Sequence, residues 1–425
     1  MDSRTLPETN NSTVSTRLSM KQLPAIRLSH VLLIVSFIAL PVRGDVTAPS
    51  WNINGFGTLG VAHSDEDQAD FTTGLLADEG AGYSDEWSLK VDSKVGVQLT
   101  ANFASKFKAV LQVVSEQGHD GSFDPQIEWA NVSYDITPEL TVRIGRTVQP
   151  SFMTSEYRKV GYANPTVRPP AEVYNLVPVT NSDGIDVSYQ SRFNEVTNTL
   201  HLLFGKKTTD LPDGFEMESD DSFTLANTLE WRDTTLFAAY SQTDLTVDVL
   251  TPFFNGFRAF GPEGEYIADR FDLDDTTVRI ISLGGRYDPG TWFILGEWAN
   301  NRSRSFVGEH RGWYLTGGVR IASLTPYLTF ADQRAKGDLS HPGLPFPQAQ
   351  PLNETLNLLL SQNTSDQSRI AVGARWDFAP SVALKVQYDR IDLRRGTRGV
   401  LSNTQPGFEG DEPVSVFSTT VDFVF

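Results

Sequence analysis

Between Trp51 and Phe425 the chain returns sixteen times to one pattern, a run of about ten residues in which apolar and polar side chains alternate. In the clearest run, Trp87 to Thr100, one face carries Trp87, Leu89, Val91, Val95, Val97 and Leu99, and the other carries Lys90, Asp92, Lys94 and Gln98. A period of two belongs to a strand with one greasy and one wet side. The other runs lie at 51–63, 106–117, 127–135, 140–146, 184–193, 196–206, 222–231, 234–244, 276–287, 291–300, 310–323, 325–333, 368–378, 382–390 and 414–425. Ten residues is roughly what a tilted strand needs to cross a bilayer. A closed barrel is the sheet that leaves no backbone group unpaired in lipid.

The connections alternate in length as regularly as the residues do in polarity. Short turns sit at 102–105, 137–139, 194–195, 232–233, 288–290, 324 and 379–381, and between them come longer polar connections, the largest at 64–86, 147–183, 245–275, 334–367 and 391–413. Short turns on one rim and long loops on the other mark a bacterial outer-membrane barrel, whereas a soluble sandwich has no reason for the asymmetry. Trp51, Trp231, Trp292 and Trp376 fall at the short-turn rim and Trp87, Trp298 and Trp313 at the other, all with the parity of the apolar face. That is the aromatic girdle of a membrane barrel, against which only Trp129 has the wrong parity. The fold expected is all-β, a transmembrane antiparallel β-barrel of about 16 strands over residues 45–425.

Residues 1–44 are expected to be a cleaved export signal. Lys21 and Arg27 precede a twelve-residue apolar run, Val31 to Val42, and Val42, Arg43 and Gly44 follow as a peptidase site. Met20 stands as an alternative start. Without this segment's five basic and two acidic residues, 30 basic remain against 51 acidic, a net charge near −21. That balance argues against a nucleic-acid partner, whose phosphates need Lys and Arg. Cysteine is absent, so neither disulfides nor thiolate metal sites are available. His63, His119, His201, His310 and His341 are isolated and build no catalytic triad, so neither catalysis nor a cofactor is expected. Acidic clusters at Asp65, Glu66, Asp67, Asp70, Asp78, Glu79, Asp85 and Glu86, and at Asp269, Asp272, Asp274 and Asp275, allow two readings. They are solvated loop surface, or they bridge to lipopolysaccharide phosphates through divalent cations.

The last segment sets Phe417, Thr419, Val421, Phe423 and Phe425 against Ser418, Thr420, Asp422 and Val424 and ends on an aromatic residue. With the export signal, sixteen strands and a long connection after the fifth, the chain resembles the Gram-negative porin family. The resemblance implies residence in the outer membrane and a homotrimer. It also implies a terminal strand read by the barrel-assembly machinery, which carries over to Phe423 and Phe425. It further implies that the connection after the fifth strand, 148–181, is a third loop folded into the lumen as a constriction. The Gly-rich acidic motif common in that loop of general porins is absent here, which leaves the solute class open.

That connection carries Glu156, Tyr157, Arg158, Lys159, Tyr162, Arg168 and Glu172, and Arg143 precedes it on the fifth strand. Parity places Lys90, Asp92, Lys94, Lys106, Lys108, Asp186, Arg192, Arg286, Arg320, Arg375 and Lys385 on the inner wall with it. Such charges either form rings that discriminate ions or brace the wall by pairing with Asp186, Asp377 and Asp389. Arg158, Lys159, Arg168, Arg143, Lys90 and Lys94 outnumber Glu156 and Glu172, so a weak anion preference is expected. The expected function is passive diffusion of small hydrophilic solutes. The alternative is a plugged barrel serving as a surface receptor or adhesin through its acidic loops.

Overall fold

The computed structural model describes residues 49–74, 77–103, 105–211 and 215–425, and the expected export signal lies outside them. Each alternating run forms a barrel strand: β1 Ser50–Ser64, β2 Lys94–Asn102, β3 Phe107–Glu116, β4 Gln126–Asp135, β5 Leu140–Val148, β6 Asn181–Phe193, β7 Val196–Asp210 and β8 Glu216–Trp231. They continue as β9 Thr234–Val247, β10 Thr276–Tyr287, β11 Trp292–Ser303, β12 Glu309–Val319, β13 Leu324–Lys336, β14 Gln367–Ala379, β15 Val382–Leu393 and β16 Val414–Val424. Each pairs antiparallel with the next, and β16 returns to β1 with Phe56 opposite Val424 and Ser64 opposite Val416. Closure leaves no open edge, which is what hydrocarbon demands of a sheet.

Ile53, Leu59, Val97, Ile144, Leu283 and Val372 are exposed on the outer face, an arrangement stable only against lipid. At the seam, the rings of Phe423 and Phe425 lie over Gly57 and Gly55 of β1. A Cβ at Gly57 would stand 2.3 Å from Phe423, and one at Gly55 2.2 Å from Phe425.

Three local departures from strict alternation have physical causes. The run at Trp87 is broken: Trp87–Ser88 is a two-residue strand on the outer end of β1, residues 89–93 turn, and β2 begins at Lys94. Val91, expected toward lipid, is consequently buried beside Phe71 and Ala171. In β4 the register slips between Gln112/Val113 of β3 and their partners Trp129/Ile127, which makes Glu128 an extra residue. With this β-bulge Glu128 and Trp129 both turn inward and Ile127 regains the lipid face, while Trp129 keeps the inward parity of Asn131 and Ser133. The long connections also contain helices: α1 Ala171–Tyr174, α2 Thr251–Arg258, α3 Pro262–Phe271 and α4 Gln350–Asn363. Prolines open α2, α3 and α4 within the first turn. Phe254, Phe257, Ile267, Phe271, Leu356 and Leu360 then pack into a small apolar core of their own.

Candidate functional site: the loop across the bore

Residues 149–180 leave β5 and cross the interior, touching inward side chains around much of the wall. The second half is held by ions. Lys385 of β15, wholly buried, donates to the carbonyls of Gly161 (2.7 Å) and Thr166 (2.9 Å) and pairs with Asp422 of β16 at 3.0 Å. Asp422 also accepts from Thr58 of β1 at 2.6 Å. The chain passes so close here that a Cβ on Gly161 would lie 2.0 Å from the Asp422 carboxylate. Arg375 of β14 stacks on Tyr162 at 4.6 Å and donates to the Tyr162 carbonyl at 2.7 Å, while pairing with Asp377 at 2.8 Å. Further on, Arg168 reaches Asp92 (2.8 Å) and Ser418 (2.6 Å), and its charge stands 3.6 Å from Asp389. Arg369 of β14 forks onto Glu172 at 2.8 and 3.0 Å and meets Asp389 at 2.6 Å. Lys385, Asp422, Arg168, Asp92, Arg369, Glu172 and Asp389 are all buried, and Arg375 and Asp377 partly so. A buried charge is tolerated only when paired and hydrogen-bonded, so the loop's course is specified by partners it cannot leave cheaply.

The start and the end of the loop rest together on an apolar bed, and three carboxylates hold the start. Phe152, Val173, Tyr174, Leu176 and Val177 pack against Val278, Ile280, Phe293, Leu295 and Tyr314 of the wall. Within this bed Glu297 of β11 accepts from the Met153 backbone N–H at 2.8 Å, from the Tyr314 hydroxyl at 2.7 Å and from the Tyr174 hydroxyl. Lys159 meets Glu116 at 2.6 Å and the bulge residue Glu128 at 2.8 Å. Tyr157 lines the small space beneath this half, beside Met153 and Arg286.

The charges expected to be free are therefore mostly paired. Lys159 and Arg168 are bound as described, Glu172 is saturated by Arg369, and Arg143 holds Asp186 at 2.7 Å with His201 alongside. Lys94 stands 3.8 Å from Glu116. Lys90 is not a wall residue, because the break at 89–93 carries it to the outer rim, where it pairs with Glu79 at 2.5 Å. Asp92 leaves the strand with it but turns inward to Arg168. Arg286 and Arg320 converge on Asp288 in a short turn, Arg320 at 2.6 Å. The cation excess expected in the bore is thus cancelled by Glu116, Glu128, Asp92, Asp186 and Asp389.

Arg158 differs: its guanidinium lies 5.5 Å over the Tyr174 ring, and among the described residues no carboxylate comes within 4 Å of it. Glu156 is exposed and faces a cavity of about 320 Å³ lined by Lys106, Lys108, Ser133, Asp135, Arg143, Ser188 and His201. Lys108 and Arg192 have no ionic partner among the described residues. Residues that the sequence reading passed over are Glu116, Glu128, Glu297, Arg369 and Asp422. Parity alone places Asp422 and Glu297 inward, since Val421, Phe423 and Trp298 face lipid. The bulge hides Glu128.

Several loop carboxylates are also engaged: Asp70 accepts from Ser84 and Asn403, and Arg258 meets Asp272 at 2.8 Å. Among the described residues no three His, Asp or Glu side chains are grouped to hold a metal ion.

A closed sixteen-stranded barrel with a greasy exterior, a charged interior and a loop across its bore is, as a class, an outer-membrane channel. The chain belongs to the Gram-negative porin family, whose model matches residues 31–396. The barrel resembles the anion-selective porin from Comamonas acidovorans at 13% identity and TM-score 0.54, covering 89% of this chain and 100% of that one. It likewise resembles Salmonella typhi OmpF, in a complex with daunomycin (11%, 0.54; 88% and 97% covered), and the outer-membrane channel DcaP of Acinetobacter baumannii (10%, 0.52; 89% and 98%). No curated protein sequence matches significantly. The protein is a porin of the Gram-negative outer membrane; family and fold indicate a channel, and the receptor alternative is not favoured.

Proposed function

We propose that residues 148–181 form the constriction of this porin and that small hydrophilic solutes pass between the loop and the β3–β7 wall. One observation carries the reading. The loop is bonded into the β14–β16 wall, while a cavity persists on the opposite side between Glu156 and Lys108. Weak anion preference remains the reading, on a new basis. Among the described residues Arg158, Lys108 and Arg192 lack ionic partners, Lys108 sharing the cavity with the exposed Glu156 and Asp135, and a charge at a narrow point outweighs distant ones. Family membership supports a homotrimer, and the Phe423/Phe425 contact with β1 supports a role for both residues in assembly. Planar-bilayer recordings test the proposal. The unmodified protein should conduct and show a small anion-directed reversal potential in a KCl gradient, and Arg158→Gln should move it toward cations. Absence of current, or an unmoved potential, would remove the constriction from this loop.

A further inference from the structure

The lipid-facing surface of a barrel is costly ground for arginine, yet three stand together on it at the outer end of β10 and β11. Arg279 and Arg302 are directly opposite in the β10–β11 register and share the parity of Ile281 and Trp298, so both project outward. Arg304 follows just past the end of β11. All three are exposed. Like charges directly opposite in a sheet repel each other unless something negative lies between them. No protein carboxylate does so: among the described residues none comes within 4 Å of any of the three. The nearest acids on the same face are committed elsewhere. Asp244 accepts from Thr277 at 2.7 Å. Glu309, opposite Arg302, is taken by Arg311 at 2.6 Å and lies 3.9 Å from Lys336. Arg279 donates only to the neutral Gln242, at 3.2 Å.

The three arginines rim a cavity of about 540 Å³ whose floor includes Ile281 and Asn300. Immediately toward the membrane centre, Ile281, Leu283 and Trp313 are exposed on the same face. Cations sit above hydrocarbon-facing side chains, at the height where the apolar band ends. We propose that this is a binding site for the phosphate-bearing headgroup of an outer-leaflet lipid, with its acyl chains lying on Ile281, Leu283 and Trp298. Guanidinium forks match phosphate oxygens bidentately, and the phosphate relieves the repulsion between Arg279 and Arg302. A free anion would gain the same ionic contacts but nothing from the apolar floor. The site stands on the outside of the wall and is independent of the pore reading.

The test uses folded protein in nonionic detergent, titrated with diphosphoryl lipid A, dephosphorylated lipid A and inorganic phosphate, with bound lipid counted by native mass spectrometry. The triple variant R279Q/R302Q/R304Q should bind diphosphoryl lipid A about a hundredfold more weakly. Its faster unboiled migration in mild SDS should be unchanged. On the unmodified protein, dephosphorylated lipid should bind no better than the variant binds the phosphorylated form, and inorganic phosphate at equal concentration should not displace the lipid. Equal binding by the variant, equal binding of the dephosphorylated lipid, or displacement by inorganic phosphate would each overturn the proposal. Should the triple variant fail to fold, R279K/R302K/R304K keeps the charge and loses the fork. An intermediate loss is then expected, and no loss counts against the site.

Discussion

The β14–β16 wall and the β2–β7 wall both carry charges of both signs, but they use them differently. On the first, Arg168 is 7% exposed, Asp389 1% and Lys385 0%, and each is locked to the loop or to a neighbour. On the second, Arg143 is 23% exposed and lines the cavity, while Lys94 (18%) and Glu116 (34%) stand outside its lining, Glu116 being bound by Lys159 of the loop. Charge in the bore thus braces the structure where the loop lies against the wall and faces solute where it does not. Ion preference therefore cannot be read from a sum over the lumen, since most terms cancel within a few ångströms.

Breaking the saturated wall should have the largest effect. Arg369→Met leaves Glu172 and Asp389 buried without their shared cation, which costs about 3–5 kcal/mol. The barrel should convert to its boiled mobility at a lower temperature in SDS, and single-channel current should become larger and noisier as the loop loosens. Gly161→Ala acts on the same wall through sterics, because its Cβ has no room beside Asp422. A loss of about 1–3 kcal/mol and raised conductance are expected, and unchanged conductance would place the loop's control elsewhere.

The two walls separate most sharply in a matched pair. Arg158→Gln and Arg168→Gln each remove one positive charge, but among the described residues only Arg168 is paired with carboxylates. Near a narrow aqueous path a unit charge acts by roughly 1 kcal/mol at about 4 Å, so Arg158→Gln should shift the reversal potential toward cations and Arg168→Gln should shift it far less. Equal shifts would show that both walls face one aqueous path.

The smallest effect concerns a turn outside both walls. Hydrogen bonds from Arg320, and then Arg286, hold the Asp288 carboxyl well below the usual carboxylate range. A lowered folded value means that the stabilisation is fully present above the ordinary Asp range near 3.9 and is lost as pH falls below it. The stability difference between the unmodified protein and Asp288→Asn, below about 1 kcal/mol for so accessible a cluster, should stay flat from pH 7 to about 4 and shrink under that. Urea denaturation at stepped pH measures it, and a difference that shrinks between pH 7 and 5 would reject the assignment.

The barrel was legible because a lipid-facing strand must alternate, and the alternation survives in most segments from β1 to β16. It failed where geometry departs from the ideal strand. The bulge at Glu128 inverts parity for Ile127, and the turn at 89–93 moves Lys90 to the rim. Helix α4 left a signal in Leu352, Leu356, Leu359 and Leu360, spaced for one helical face, but the segment reads as a polar connection when only strands are sought. The partners of the inward charges were not legible. Arg168 and Asp92 are 76 positions apart and Arg369 and Glu172 are 197 apart, and parity gives a side chain's face without its height.

The seat of the loop's second half also sets an order of events. Asp422 and Thr58, which are 364 positions apart, meet only when β16 pairs with β1, and Gly161 and Lys385 dock against that same pair. Contacts of such long range form late in folding. Until the first and last strands meet, the crossing segment has no complete surface to settle on, so the aperture takes its final width only after the circle is complete. Protease sensitivity within residues 151–170 should therefore vanish in step with closure and would serve as a clock for it.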